Sequence, residues 1–333
     1  MGKLLRIVAR RLINALVTIF GIIVLNYVLV RMMPGDPAVV IAPRLPGYEG
    51  LIDSNRQLFG LDRGPWEQFV IYLQRTVTLD WGISYRWNQP VAEILMRDLG
   101  WTLLLVGTAT VFIIIFGMII GSYAAWKRGK PFDLASTGLG IFFYGMPTFW
   151  LGLVLIALFA NPSFRPAWWW PLLPSQGYYN VNLGPWAWDW AHVSSALQHL
   201  ILPSLTLAVG SLAGISLVMR SSLIDVMTED FVLTARAKGL SEQEVLRRHI
   251  FPNGLPQMVQ LIALDIAFVI GGAYQVEVIF GYQGIGYRTI NAIYDLDYPL
   301  LQFIVVVGGT AIVIANLIAD FILLKLDPRI RIA

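Results

Sequence analysis

The sequence predicts an all-α polytopic membrane protein: six transmembrane helices, with an external helical subdomain between the first two. Three observations carry this. Hydrophobic residues make up 56% of the 333 residues and charged residues only 14%, whereas a water-soluble domain carries about a quarter charged residues. Six apolar runs punctuate the chain, each near the ~20 residues that cross a bilayer as a helix. Lysines and arginines gather in alternate segments between those runs, the asymmetry that orients membrane helices. The net charge of +3 is small, so the position of the charges matters more than their sum. There are no cysteines, which removes disulfides, thiolate nucleophiles and thiolate metal sites together.

Taken in order, the chain opens with Lys3, Arg6, Arg10 and Arg11, and residues 12–30 are then apolar apart from Asn14, Thr18 and Asn26. A signal peptide has a shorter apolar core and a small-residue cleavage site. Here Met33-Pro-Gly-Asp-Pro37 follows instead, so residues 1–31 read as an N-terminus plus a retained first span. Residues 32–98 are mixed and polar, with turn signals at Pro34-Gly35, Pro43, Pro46-Gly47 and Gly64-Pro65. This is the external subdomain, and within it Trp66, Phe69, Val70 and Leu73 fit one helix face that packs on its surroundings.

Residues 99–325 form a five-helix core. Span 2 covers 99–125 and is closed by Trp126-Lys-Arg-Gly-Lys130; span 3 covers 134–160. The 161–198 loop is dense in aromatics: Trp168-Trp169-Trp170, Tyr178-Tyr179, Trp186, Trp188 and Trp190. Amphipathic rings prefer the headgroup layer, so these read as interfacial anchors, with a sugar-stacking surface as the sharper alternative. Span 4 covers 199–219, span 5 covers 255–280, a Gly- and Tyr-rich turn region fills 281–300, span 6 covers 301–324, and 326–333 is a tail. Lys127, Arg128 and Lys130, then Arg220, Arg236, Lys238, Arg247 and Arg248, then Lys325, Arg329 and Arg331 share a side with the N-terminal cluster. The short opposite segments hold only Arg165 and Arg288. Both termini and the 220–254 loop are therefore expected in the cytoplasm.

That loop is the most charge-rich amphipathic stretch between two spans. Its chemistry specifies helix, turn, helix. Arg236 and Lys238 sit at the end of the first helix, where cations suit the negative end of the macrodipole. Gly239 supplies a left-handed C-cap. Ser241 opens the second helix with Glu244 three residues on, a capping box, and Pro252 is expected to end it. A DNA-binding helix-turn-helix needs further helices packed on it and a duplex within reach; the apolar flanks here leave neither, so no nucleic-acid partner is expected.

Chemistry of other kinds is missing from the sequence. No Gly-x-x-x-x-Gly-Lys-Ser/Thr occurs, so ATP is not bound by a P-loop of this chain. Gly281-Tyr-Gln-Gly284-Ile-Gly286 follows a span and not a strand, which excludes the dinucleotide reading. His192, His199 and His249 lack metal-ligand spacing. Acids are costly inside a bilayer. Asp265 lies well inside span 5, while Glu277 and Asp320 lie near span ends, where water reaches them; Asp265 alone is the candidate polar group of an ion-coupled path. Gly117/Gly121, Gly138/Gly140, Gly210/Gly214 and Gly308/Gly309 offer close helix contacts.

A series of short motifs gives a definite resemblance. They are Pro34-Gly-Asp-Pro-Ala38, Leu61-Asp-Arg63, Pro90-Val-Ala-Glu93, Pro147-Thr-Phe-Trp150, Thr234-Ala-Arg-Ala-Lys-Gly-Leu-Ser241, Gly284-Ile-Gly286, Asp297-Tyr-Pro299 and Asp327-Pro-Arg-Ile-Arg331. In this order the chain resembles, nearly end to end, the permease subunits of dipeptide/oligopeptide/nickel-type ABC importers, and among them the first of the two permease types. That family's loop pattern is Glu-Ala-Ala-x3-Gly-x9-Ile-x-Leu-Pro. Ala235, Gly239 and Pro252 match it, whereas Leu233, Thr234, His249 and Phe251 depart from it; Thr-Ala-Arg-Ala-Lys-Gly is the variant common in the peptide branch.

The resemblance implies a type I ABC importer permease core in the cell membrane, forming half of a path for di- or oligopeptides. Oligosaccharide or nickel cargo is the alternative within the same machinery, and an ion-coupled secondary transporter the alternative outside it. It implies that Thr234, Ala235, Arg236, Ala237, Lys238, Gly239, Leu240, Ser241, Glu244 and Pro252 belong to an ATPase-coupling loop. The implied partners are a second homologous permease, two ATP-binding subunits that hold the ATP and Mg, and an extracytoplasmic solute-binding protein. No catalytic residue, metal or cofactor of its own is expected in this chain.

Overall fold

The computed structural model describes residues 2–41, 49–164 and 172–326. Among them the chain is helical, with one isolated antiparallel bridge, Ile83 to Pro90. The helices are α1 (Gly2–Arg31), α2 (Pro37–Ile41), α3 (Glu49–Phe59), α4 (Pro65–Thr78), α5 (Val91–Trp126), α6 (Pro131–Tyr144) and α7 (Thr148–Phe159). They continue as α8 (Trp190–Met227), α9 (Asp230–Ala237), α10 (Glu242–Val245), α11 (Phe251–Gly272), α12 (Tyr274–Ile279), α13 (Ile285–Tyr294) and α14 (Tyr298–Leu326).

Among the described residues, four helical segments are long and apolar enough to cross a membrane: Val8–Arg31, Val91–Trp126, Trp190–Met227 and Tyr298–Ile318. The expected span 3 is broken. α6 and α7 meet at a bend of 103°. Pro147 explains the break, since it lacks an N–H and pushes Met146 out of the helical region; Gly145 closes α6 by donating its N–H to the Ile141 carbonyl at 3.0 Å. The expected span 5 is likewise divided between α11 and α12. α5 and α8, with 36 and 38 residues, rise roughly 55 Å, well beyond a ~30 Å hydrocarbon core. Sequence hydropathy marks only residues 99–125 of α5 and 199–219 of α8.

The chain divides into two compact units. The first holds Met1–Thr102 and Gln283–Ile314. Its core gathers Ile23, Tyr27, Tyr72, Leu95, Leu301 and Phe303. Asn26 Nδ2 donates to Tyr72 Oη at 3.0 Å and to the Gln302 carbonyl at 2.8 Å, which ties α1, α4 and α14 together. The buried face of α4 is centred on Tyr72, with Phe69 and Leu73 beside it. Trp66 and Val70, expected on that face, are exposed, because the helix is rotated to bring Tyr72 to Asn26. Asp297 is fully buried before α14. It accepts from the Ser84 hydroxyl and from the backbone N–H groups of Tyr85, Arg86 and Leu300. Burial pushes its carboxyl above the ordinary range, while those donors pull it back.

The second unit holds Leu103–Tyr282 and the remainder of α14 from Ala315. α8 is its axis, with α6, α7 and α11 packed along it. α5 also approaches α8 closely: a Cβ at Gly117 would lie 2.6 Å from Ile215 Cγ2. The Asp133 carboxylate receives Arg220 Nη2 at 2.9 Å and the Gly129 N–H at 2.8 Å, pinning the start of α6 to the last turns of α8. Among the aromatics, Tyr179 meets Trp186 edge-on at 5.4 Å and Trp186 meets Trp188 at 5.4 Å. Trp188 and Trp190 are strongly exposed, whereas Trp168, Trp169 and Trp170 lie outside the described residues. Glu277, expected at a wetted span end, is fully buried in α12, because α12 folds back onto α7 and α8.

Candidate functional site

The helix pair between α8 and α11 is built by local chemistry. α8 ends at Met227, and after Thr228 and Glu229 the chain re-enters a helix at Asp230. The Thr234 hydroxyl back-bonds to the Asp230 carbonyl at 3.0 Å. Lys238 closes α9 by donating its N–H to the Thr234 carbonyl at 3.1 Å. Gly239 then turns the chain at φ +80°, and a Cβ there would meet nothing within 4 Å. The glycine is thus demanded by a left-handed backbone and not by crowding inside this chain.

Ser241 opens α10 with a reciprocal cap: its hydroxyl accepts the Glu244 N–H at 3.3 Å, and Glu244 accepts the Ser241 N–H at 3.2 Å. Such caps stabilise a helix start by about 1 kcal/mol. Arg236 reaches across the turn to Glu242, Nε to Oε1 at 2.9 Å. It braces the two helices more directly than it complements the dipole of α9; an exposed pair of this kind is worth roughly 0–1 kcal/mol.

Pro252 does not end the second helix as expected. The chain passes through a π-helical turn at Leu246–Ile250 and runs on into α11, with Pro252 in its first turn. An α-helix would set the proline ring against the carbonyl four residues back; the wider π turn shifts that carbonyl away and lets the helix continue. α11 then presses on α8 at Gly254, whose carbonyl accepts the Ser222 hydroxyl at 3.0 Å.

Of the predicted loop residues, Ala235 is buried and Leu240 and Glu244 are half-buried. Thr234, Arg236, Ala237, Lys238, Gly239, Ser241 and Pro252 are exposed. Val232, Ala235, Val245 and Ile250 form the buried side that binds the pair into one body. The outward side carries Leu233, 66% exposed, and Phe231, 42% exposed. Both are apolar and flank buried Val232; Leu233 is also one of the positions where the loop departs from the family pattern. Asp265 lies in α11, but its side chain is outside the described residues. No cluster of three or more His, Asp or Glu suited to a metal occurs among the described residues.

The Ser241 hydroxyl and N–H hold the Glu244 carboxyl below the ordinary glutamate range. A depressed folded value means that the cap's contribution is present above the ordinary value and is lost as pH falls through the depressed one. Below the ordinary glutamate value of about 4.3, the protection of amides 241–245, their exchange relative to the unstructured chain at the same pH, is expected to fall. Ser241→Ala is expected to show the lower protection already at neutral pH and to lose most of the acid response. Hydrogen exchange read by mass spectrometry checks both.

The described chain thus combines long apolar helices with a capped, exposed helix pair between α8 and α11. Comparison with known proteins gives the family: the chain belongs to the binding-protein-dependent transport system inner membrane components, matched over residues 114–332, with that family's N-terminal component matched over residues 4–106. The dipeptide transport system permease protein DppB of Escherichia coli (strain K12) is 33% identical over 348 residues, covering 98% of this chain and 99% of its own. The glutathione transport system permease protein GsiC of the same strain is 33% identical over 328 residues, with the same coverage. An inward-facing structure of the MetNI methionine ABC transporter shares the fold, with a TM-score of 0.54 at 16% identity over 72% of this chain and 98% of that one.

Proposed function

We propose that this chain is one of two permease subunits of an ATP-driven importer of di- or oligopeptides. End-to-end similarity to the dipeptide and glutathione permeases carries this reading and supports peptides over oligosaccharides or nickel. Residues 32–98 are its external subdomain and 99–325 its transporting core. Both termini and the 220–254 loop face the cytoplasm, the side on which the basic residues of the short connecting segments concentrate. The α9–α10 pair is the coupling element for an ATPase subunit. Its buried side makes it move as a body with α8 and α11, and its outward side offers Leu233, Lys238 and the bare backbone of Gly239.

ATP binding by two partner subunits would draw the coupling elements together and shift the spans between inward- and outward-facing states. Coupling is reciprocal for binding, so a loaded solute-binding protein outside favours the closed ATPase pair. The ATP and its Mg are bound by the partners.

The reading is tested by tagging the chain, purifying it gently and identifying what accompanies it. A second permease and one or two ATPases are expected; recovery alone or as a homo-oligomer without an ATPase overturns it. For the coupling element, Gly239→Val forces a β-branched residue into the left-handed region at ~1–2 kcal/mol. Gly239→Val and Lys238→Glu are each expected to lower peptide uptake about tenfold with unchanged membrane abundance. Lys238→Glu is the cleaner change, since reversing Arg236 also breaks its bridge to Glu242. Unchanged uptake in both variants removes the coupling role.

A further inference from the structure

The first unit contains a cavity of about 420 Å³ that the transport reading does not use. It opens where α1 ends and α14 begins, and three arginines, Arg31, Arg63 and Arg75, line it against one carboxylate, Asp80. Arg63 is paired with Glu67 at 3.2 Å. Neither Arg31 nor Arg75 has a carboxylate within ion-pair distance among the described residues. The Arg31 guanidinium is held between two rings, 5.6 Å from the Tyr27 centroid and 5.0 Å from that of Tyr298. Its Nε is buried without a hydrogen-bond partner, and so is the amide nitrogen of Gln302 in the same wall.

Buried donors without acceptors are uncommon because each costs desolvation. Two occur here, beside two cations lacking counter-ions. Behind them Asn26 fixes α1, α4 and α14 through its bonds to Tyr72 and Gln302, so the wall is preorganised. Tyr85, also in the lining, feels both cations: burial pushes its hydroxyl up to about 12 while Arg31 and Arg75 pull it down. The geometry therefore asks for one anion with several acceptor oxygens.

Depth selects among anions. Arg31 is the last residue of the apolar span Val8–Arg31, and Gln302 and Phe303 lie in the first turns of the span Tyr298–Ile318. The cavity thus sits at the end of two membrane helices, the level of lipid headgroups. Leu58, Ile71 and Phe303 give the same cavity an apolar wall. A phosphate that carries acyl chains fits both parts, whereas a free anion uses only one.

We propose that this cavity seats the phosphodiester of an anionic membrane phospholipid, gripped by Arg31 and Arg75 with Gln302 as a further donor. The inference does not rest on the transport reading, and its test does not use transport. The full-length chain is purified in mild detergent and offered equimolar phosphatidylglycerol and phosphatidylcholine, and retained lipid is counted by native mass spectrometry. Preferential retention of phosphatidylglycerol is expected. Arg31→Gln and Arg75→Gln are each expected to weaken it about tenfold, the loss of one charge-assisted contact. Arg75→Lys, an exposed position where folding is not at stake, is expected to keep most of the preference, and Arg128→Gln, outside the cavity, all of it.

No preference for phosphatidylglycerol, or equal losses in all the glutamine variants, overturns the proposal. So does displacement of the lipid by millimolar inorganic phosphate or by a tripeptide with a free carboxylate, which would assign the cavity to a soluble anion.

Discussion

Replacing Gly121 by leucine is expected to eliminate the folded helix bundle, with Gly117→Leu close behind. A Cβ at Gly121 would lie 2.4 Å from the Ser216 carbonyl oxygen, 2.8 Å from Met219 Cβ and 3.1 Å from Ser216 Cα. Two of those three atoms are backbone of α8, so no rotamer change relieves the clash; α5 and α8 must separate. Overpacking by a methylene or two costs about 1–3 kcal/mol where side chains can adjust, and more where the backbone must move. Separation also forfeits the packing that drives helix association in lipid, where no hydrophobic effect restores the contact. Gly121→Ala already carries the clash and is expected to lower thermal stability in detergent, while Gly121→Leu leaves little monodisperse protein on size exclusion. Gly138→Ala is the matched control, because a Cβ there meets nothing within 4 Å. Wild-type stability in Gly121→Ala rules out the α5–α8 approach.

The glycines also show what the sequence could and could not disclose. The sequence offers four glycine pairs, two of them, Gly117/Gly121 and Gly210/Gly214, at four-residue spacing, and the structure uses them unequally. Gly117 and Gly121 leave no room for a Cβ, a Cβ at Gly309 would lie 3.0 Å from Ile22 Cγ2, and Gly138 and Gly308 face open space. Small-residue spacing states that a close approach is permitted; it does not name the partner. The α9–α10 pair was legible almost residue by residue, because a left-handed glycine and a capping box are decided within a few residues. Pro252 misled for the opposite reason. Its local rule holds for an α-helix, and a π turn upstream changes the geometry to which the rule applies. Least legible were the buried ion pairs. Asp98 and Arg288 stand 190 positions apart, and nothing near either residue signals the other. The same holds for Asp133 and Arg220, which hydropathy reads as unremarkable ends of spans.

Asp98→Leu is accordingly expected to be the most damaging single change in the first unit, and Asp98→Leu with Arg288→Leu together much less damaging than either alone. Asp98 is 1% exposed and the Arg288 side chain 5%. Nε of Arg288 reaches Oδ2 of Asp98 at 2.6 Å, and Nε of Arg97 reaches Oδ1 at 2.9 Å. The Arg288 guanidinium lies 4.7 Å from the Trp87 ring centroid. This group of contacts joins α5 to α13, beside the Ile285 N–H that donates to Thr102 Oγ1 at 2.8 Å. Removing the carboxylate strands a buried guanidinium, a loss of about 3–5 kcal/mol. That is roughly 10 °C in melting temperature for a body of this size. Removing both charges leaves two apolar side chains where an ion pair had to be desolvated, an exchange that is often near neutral. Arg97, half exposed, returns to water in either case, and the Thr102 bond is untouched. Thermal unfolding of the two single variants and the double variant checks this as a cycle. A coupling of at least ~2 kcal/mol is expected; single variants within a degree of wild type, or a double variant as poor as the sum of its parts, would show that the pair does not hold α13 against α5.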